Sequence, residues 1–158
     1  MKHTIGVLME NKPGVLSRIS TLLARRNFNI DSITAGPTAN HDVTRMTVVV
    51  DGDEYVADNA ATEISKLEDV IEIERLEAGE TTIREIMLIK VRAVGDKRSE
   101  IIDLAKIMDC SIADSTETTI LLEHSDRPEK MDVLLNMLSS YEILDMARGG
   151  AIALKKGE

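Results

Sequence analysis

The chain has little of what several protein classes depend on. Its 158 residues include one cysteine, no tryptophan, one phenylalanine and two tyrosines. The single thiol, Cys110, excludes an internal disulfide and any zinc site built from cysteines, and it fits a reducing, cytoplasmic setting. With 2% aromatic residues, the stacking platforms that read single-stranded nucleic acid are missing. Positive charge is short as well: 19 Lys and Arg against 28 Asp and Glu give a formal charge of -9, the wrong sign for a phosphate backbone. No nucleic-acid partner is expected. The first apolar run, Ile5-Gly6-Val7-Leu8-Met9, stops at Glu10, far short of a signal h-region or the roughly 20 residues of a membrane span. No membrane partner is expected either. The phosphate-loop, dinucleotide and metalloprotease patterns are absent, and the three histidines, His3, His41 and His124, are scattered.

What is present suits a small aliphatic fold. Hydrophobic residues make up 43% of the chain, enough for a core in one ordinary domain or two small ones. A strand at 5–9 is broken by Glu10-Asn11-Lys12-Pro13-Gly14, and Val15, Leu16, Ile19, Leu22 and Leu23 then recur at helical spacing. Strands follow around 28–34 and 44–50 as a hairpin, then a helix at 55–67 and a strand at 70–73. The order is βαββαβ. Glu77-Ala78-Gly79-Glu80-Thr81-Thr82 is polar and aperiodic, a linker, after which the order repeats to the C-terminus. A shift of 82 residues superposes Ile5 on Met87, Val7 on Ile89, Ile19 on Ile101, Leu22 on Leu104 and Ile30 on Ile112. The expected fold is therefore α+β: two ferredoxin-like βαββαβ domains, 1–78 and 83–158. Each half, with one sheet face uncovered, is too small for a comfortable solitary core, so self-association is expected.

The acids Asp51, Asp53, Glu54 and Asp58 lack the spacing of a calcium loop and fit a helix start, so no metal site is expected. Cys110 falls at the start of a strand, where an inert, packed thiol is the simplest account. The loop at 10–16 is different. The N–H groups of Gly14, Val15 and Leu16 lie at a helix start, which suits a carboxylate. Asn11 offers an amide oxygen to an ammonium, and Asn29, near the start of the second strand, offers the same. A plain strand-to-helix turn with local Asn caps accounts for the same residues.

That loop and its helix, Glu10-Asn11-Lys12-Pro13-Gly14-Val15-Leu16-Ser17-Arg18, resemble the ligand loop of ACT domains, the amino-acid-sensing modules of biosynthetic control. Four further segments extend the likeness: 27–34, 44–47, 84–91 and Ala147-Arg148-Gly149-Gly150. Together they resemble the small regulatory subunits of acetolactate (acetohydroxyacid) synthase over nearly the whole chain. One departure is Gly149, where many members carry Ser. The resemblance implies a subunit without catalytic residues that binds the large catalytic subunit, raises its activity and confers feedback inhibition by valine or another branched-chain amino acid. It implies no cofactor of the chain's own, with thiamine diphosphate, Mg and FAD belonging to the large subunit. It implies an ACT homodimer with effector sites between protomers. Asn11, Gly14 and Asn29 correspond to the effector-site residues, and Val15 and Ile30 match neighbouring pocket positions; Leu16 joins the candidate site through its helix-start N–H. A stand-alone tandem ACT sensor with another partner is the alternative.

Overall fold

The computed structural model describes residues 1–157 and divides into two compact units. In the first, β1 (Lys2–Glu10), α1 (Val15–Arg25), β2 (Asn29–Pro37), β3 (Val43–Asp51), α2 (Glu54–Ser65) and β4 (Val70–Leu76) follow one another. The strands form an antiparallel sheet in the order β2-β3-β1-β4. Because side chains alternate across a strand, Ile5, Val7 and Met9 of β1 share one face with Met46, Val48 and Val50 of β3. Onto that face pack Val15, Ile19 and Leu23 of α1 and Ala60 and Ile64 of α2. Each large aliphatic side chain so buried contributes about 1.5–3 kcal/mol. The acids before α2 serve its start: the Val56 N–H donates to the Asp53 carboxylate at 2.9 Å, a side-chain N-cap.

The second unit repeats this plan with β5 (Thr81–Arg92), α3 (Asp96–Ile107), β6 (Ser111–Ser115), β7 (Thr119–Asp126), α4 (Pro128–Met137) and β8 (Ile143–Arg148), in the sheet order β6-β7-β5-β8. The fold is α+β with two ferredoxin-like units. The shift of 82 carries irregularities as well as apolar positions. The register slips between Ile30 and Ser32 in β2 and between Ile112 and Asp114 in β6. It slips again between Leu8 and Met9 against β4, and between Lys90 and Val91 against β8. The only non-glycine residues of positive φ among those described are Asn27 (56°) and Asp109 (54°), each just past the first helix of its unit. Bulges and left-handed residues have no hydrophobic periodicity behind them, so their recurrence marks a structural repeat independently of the apolar pattern. A shared ion pair marks it too. Arg75, opposite Ile5, reaches Asp58 of α2 at 2.6 Å, and Arg148, opposite Met87, reaches Asp132 of α4 at 2.6 Å.

One boundary differs from the expected 83–158. The segment from Ala151 onward, with β9 (Ile152–Lys155), groups with the first unit, and so does the chain up to Ile83. The cause is packing on the face that the helices leave open. Thr47 and Val49 alternate with the core residues of β3, so they point away from the helices, yet both are buried, as is Gly6. β9 lies against β1, β3 and β4 and turns Ala151 (1% exposed) and Ala153 (4%) inward. It pairs with β5, and the Lys156 N–H donates to the Glu80 carbonyl at 2.7 Å. At Gly6 a Cβ would stand 3.0 Å from the Leu76 side chain, so glycine leaves the room that Leu76 fills.

Candidate functional site

The loop between β1 and α1 is held by its neighbours on both sides. The Glu10 N–H donates to the Asp69 carbonyl at 2.9 Å, and the Asn11 N–H to the Asp42 carbonyl at 2.8 Å. The Asn11 side-chain amide donates through Nδ2 to the His41 carbonyl, also at 2.8 Å. That bond settles the amide's orientation, because a carbonyl accepts only from the NH2 side. The Asn11 Oδ1 is left as a free acceptor. Pro13 and Gly14 then turn the chain into α1. Gly14 is the N-cap residue, with φ +86°, in the left-handed region that disfavours a Cβ, and no side chain caps the helix. Beyond Val15, whose N–H reaches the Lys12 carbonyl at 3.4 Å, the Leu16 and Ser17 N–H groups have no backbone partner among the described residues. The helix start therefore offers donors and the positive end of its dipole together.

A cavity of about 310 Å3 opens at this loop. Met9, Val15, Leu16, Ala35 and Pro37 give it aliphatic walls, and Glu10, Asn11, Lys12 and Thr44 give it a polar end. Of the residues singled out in sequence, Asn11, Val15 and Leu16 line it, and Gly14 is the N-cap at which the chain turns between them. Val15 is buried and Leu16 half-exposed at the lip. Asn29 and Ile30 do not reach it within one chain. Asn29 pairs with Asp51, which pairs with Lys2, whereas Glu10 pairs with Val43 at the other end of β1. Eight residue steps at about 3.3 Å separate the two ends, roughly 26 Å. Ile30 packs instead beside the first unit's core.

Sequence reasoning missed Glu10, Lys12, Thr44 and the 35–37 segment. The last two come to the cavity through the β2–β3 pairing, where Pro37 meets Thr44 and Gly36 meets Arg45, a register that no local pattern encodes. Glu10 and Lys12 form an ion pair at 2.5 Å. The Lys12 ammonium is held above its usual range by the hydrogen bond it donates to the Glu10 carboxylate and by that carboxylate's charge. Asp69 is also engaged, by Arg18 of α1.

Elsewhere the chemistry is sparse. Among the described residues no group of three His, Cys, Asp or Glu side chains is placed to hold a metal ion. Burial, with a smaller contribution from Asp109, pushes the Cys110 thiol up to about 11, so it is protonated and unreactive at neutral pH. No helix among the described residues is long and apolar enough to cross a membrane.

A βαββαβ sheet with a glycine-started helix behind an Asn-bearing loop, followed by a second unit of the same plan, defines a tandem module of the ACT type. Comparison with known families agrees with this in both halves. Residues 5–72 match the small-subunit-like ACT domain of acetohydroxyacid synthase, and residues 84–157 match the small subunit of acetolactate synthase. A probable acetolactate synthase small subunit of Archaeoglobus fulgidus is 38% identical over 99% of this chain and 98% of its own length. The acetolactate synthase small subunit of Mycolicibacterium smegmatis is 37% identical over 98% of this chain and 91% of its own. The crystal structure of the acetolactate synthase small subunit from Thermotoga maritima superposes with a TM-score of 0.92 at 29% identity, covering 100% of this chain and 99% of that one. The chain belongs to the acetolactate synthase small-subunit family.

Proposed function

We propose that the chain is the non-catalytic regulatory subunit of acetolactate synthase, that it raises the activity of the large catalytic subunit, and that it makes that activity sensitive to a branched-chain amino acid, valine first. Thiamine diphosphate, Mg and FAD are assigned to the large subunit, and the isolated chain is expected to give no turnover of pyruvate above background. The observation that carries the effector assignment is the loop at 10–16: an oriented Asn11 acceptor, free helix-start donors and an aliphatic cavity converge there. An ammonium, a carboxylate and a branched aliphatic side chain each find a matching surface.

Pairing of two copies accounts for Asn29. β2 is an edge strand of its sheet. If two β2 strands pair antiparallel about a two-fold axis at Ile33, Asn29 of one copy falls opposite Pro37 of the other. Ala35, Gly36 and Pro37 line the cavity, so the second copy delivers Asn29 and Ile30 to the loop that they cannot reach in their own chain. An effector bound between two copies shifts the holoenzyme between more and less active states by its differential affinity for them. The deciding experiment is reconstitution with the large subunit, following acetolactate formation as chain and then valine are added. Stimulation by the chain and its reversal by valine are expected. A large subunit indifferent to the chain overturns the regulatory assignment, and stimulation that no branched-chain amino acid reverses overturns the effector assignment.

A further inference from the structure

The two charged side chains at the polar end of the cavity have so far been given no contact with a ligand. Glu10 and Lys12 bracket Asn11, join in an ion pair of 2.5 Å, and both line the cavity. The pair does little to hold the loop in place. Its side chains are 39% and 64% exposed, and ion pairs open to water are weak. The loop is fixed instead by the backbone bonds to Asp69 and Asp42 and by the Asn11 bond to His41. The pair can therefore open without moving the loop. When it opens, the cavity presents an anion and a cation side by side, with Met9, Val15 and Pro37 among its apolar lining. The charge arrangement is the mirror of a zwitterion carrying an aliphatic side chain.

We propose that Glu10 and Lys12 are the charged anchors of this site and restrict it to free α-amino acids. The ligand inserts into the ion pair, its ammonium on the Glu10 carboxylate and the Asn11 Oδ1, its carboxylate on the helix-start N–H groups and the Lys12 ammonium. This rests on the loop being the effector site and adds the rule by which it chooses. A 2-oxo acid of the same carbon skeleton offers no ammonium to Glu10, and an amino-acid amide offers no carboxylate to Lys12. Either one leaves one partner of the opened pair unmatched, and charge-assisted hydrogen bonds are the strong ones. A feedback site of this kind responds to the finished amino acid and ignores the oxo acid from which transamination makes it.

Calorimetric titration of the full chain with L-valine, 3-methyl-2-oxobutanoate and L-valinamide tests this. The wild-type chain is expected to bind L-valine about tenfold or more tightly than either probe. Glu10→Gln should weaken L-valine by about tenfold and leave the oxo acid unchanged, while Lys12→Met should weaken L-valine and leave the amide unchanged. Lys12→Arg should restore most of the loss. Both side chains are exposed, and unchanged thermal unfolding is expected for each variant. Binding of L-valine by Glu10→Gln and Lys12→Met within about twofold of wild type overturns the proposal while the effector site stands. A wild-type chain that takes up no L-valine overturns the effector site and this inference with it.

Discussion

Gly14 shows how much one residue can decide. Its φ of +86° excludes most side chains on conformational grounds, although a Cβ there meets nothing nearer than the Arg18 guanidinium at 3.9 Å. The constraint is torsional and the space in front of it is open. Gly14→Ala should therefore cost about 1 kcal/mol in urea denaturation and leave the cavity intact. Gly14→Asp sits better in the left-handed region, yet it aims an anion at the helix-start donors. It should abolish inhibition by valine in the reconstituted enzyme while stimulation persists. Continued valine sensitivity in that variant would show that the pocket lies elsewhere. Cys110 offers a second check at this scale. Its thiol is pushed up from an ordinary 9.0 to about 11, so the native state holds the proton more tightly than the unfolded chain. That contribution to stability is complete below about pH 9 and is lost as the pH rises through 11. The melting temperature should fall across that window, and Cys110→Ser should make the fall shallower. Alkylation of the native chain at pH 7.5 should be slow for the same reason.

At the level of elements, the apolar spacing of α1, Val15, Ile19 and Leu23, was enough to place a helix and its buried face. Pro13-Gly14 was enough to place its start. The apolar run at 44–50 placed a strand, and the expected layering left one sheet face open, so the burial of Thr47 and Val49 on that face was not foreseen. That follows from β9, whose Ala-Ile-Ala-Leu pattern reads as an ordinary closing strand of the second half and carries no sign of which sheet it lies on. The small residues face inward and the large ones outward, since Ile152 and Leu154 are both exposed. Ala153→Leu should accordingly cost about 1–3 kcal/mol by overpacking, whereas Ile152→Ser should fall within about 0.5 kcal/mol of wild type. Urea denaturation of the two variants reads the difference directly, and the reverse order would move β9 off this sheet. The repeated arginine pairs are unequal in the same way. Arg75 faces the exposed carboxylates of Glu54 and Asp58, but Arg148 also binds Glu85, whose side chain is 7% exposed, at 2.7 Å. Arg148→Met strands a buried carboxylate and should cost about 3 kcal/mol; Arg75→Met should cost less than half of that.

For the molecule as a whole, the 82-residue shift made the duplication legible, and with it the fold class, because both halves repeat the same apolar rows. The site was only half legible. Asn11, Gly14, Val15 and Leu16 are neighbours in sequence and share one loop, whereas Asn29 was attached to them by family likeness and stands at the far end of β2 from them. Strand direction explains the gap: α1 returns the chain antiparallel to β1, so a residue soon after the helix comes down level with the start of β1, across β3, and not with its end. Two-fold pairing of β2 edges removes the contradiction, and it makes a prediction that a site confined to one chain does not share. Asn11→Ala and Asn29→Ala chains should each give a reconstituted enzyme with weakened valine inhibition. If copies pair as proposed, refolding the two together gives mixed pairs in which one site carries both alterations and the other carries neither. Valine inhibition of the mixture should therefore rise above that of either variant alone, to a plateau below wild type. If Asn11 and Asn29 served a site within one chain, every site in the mixture would remain damaged and mixing would restore nothing.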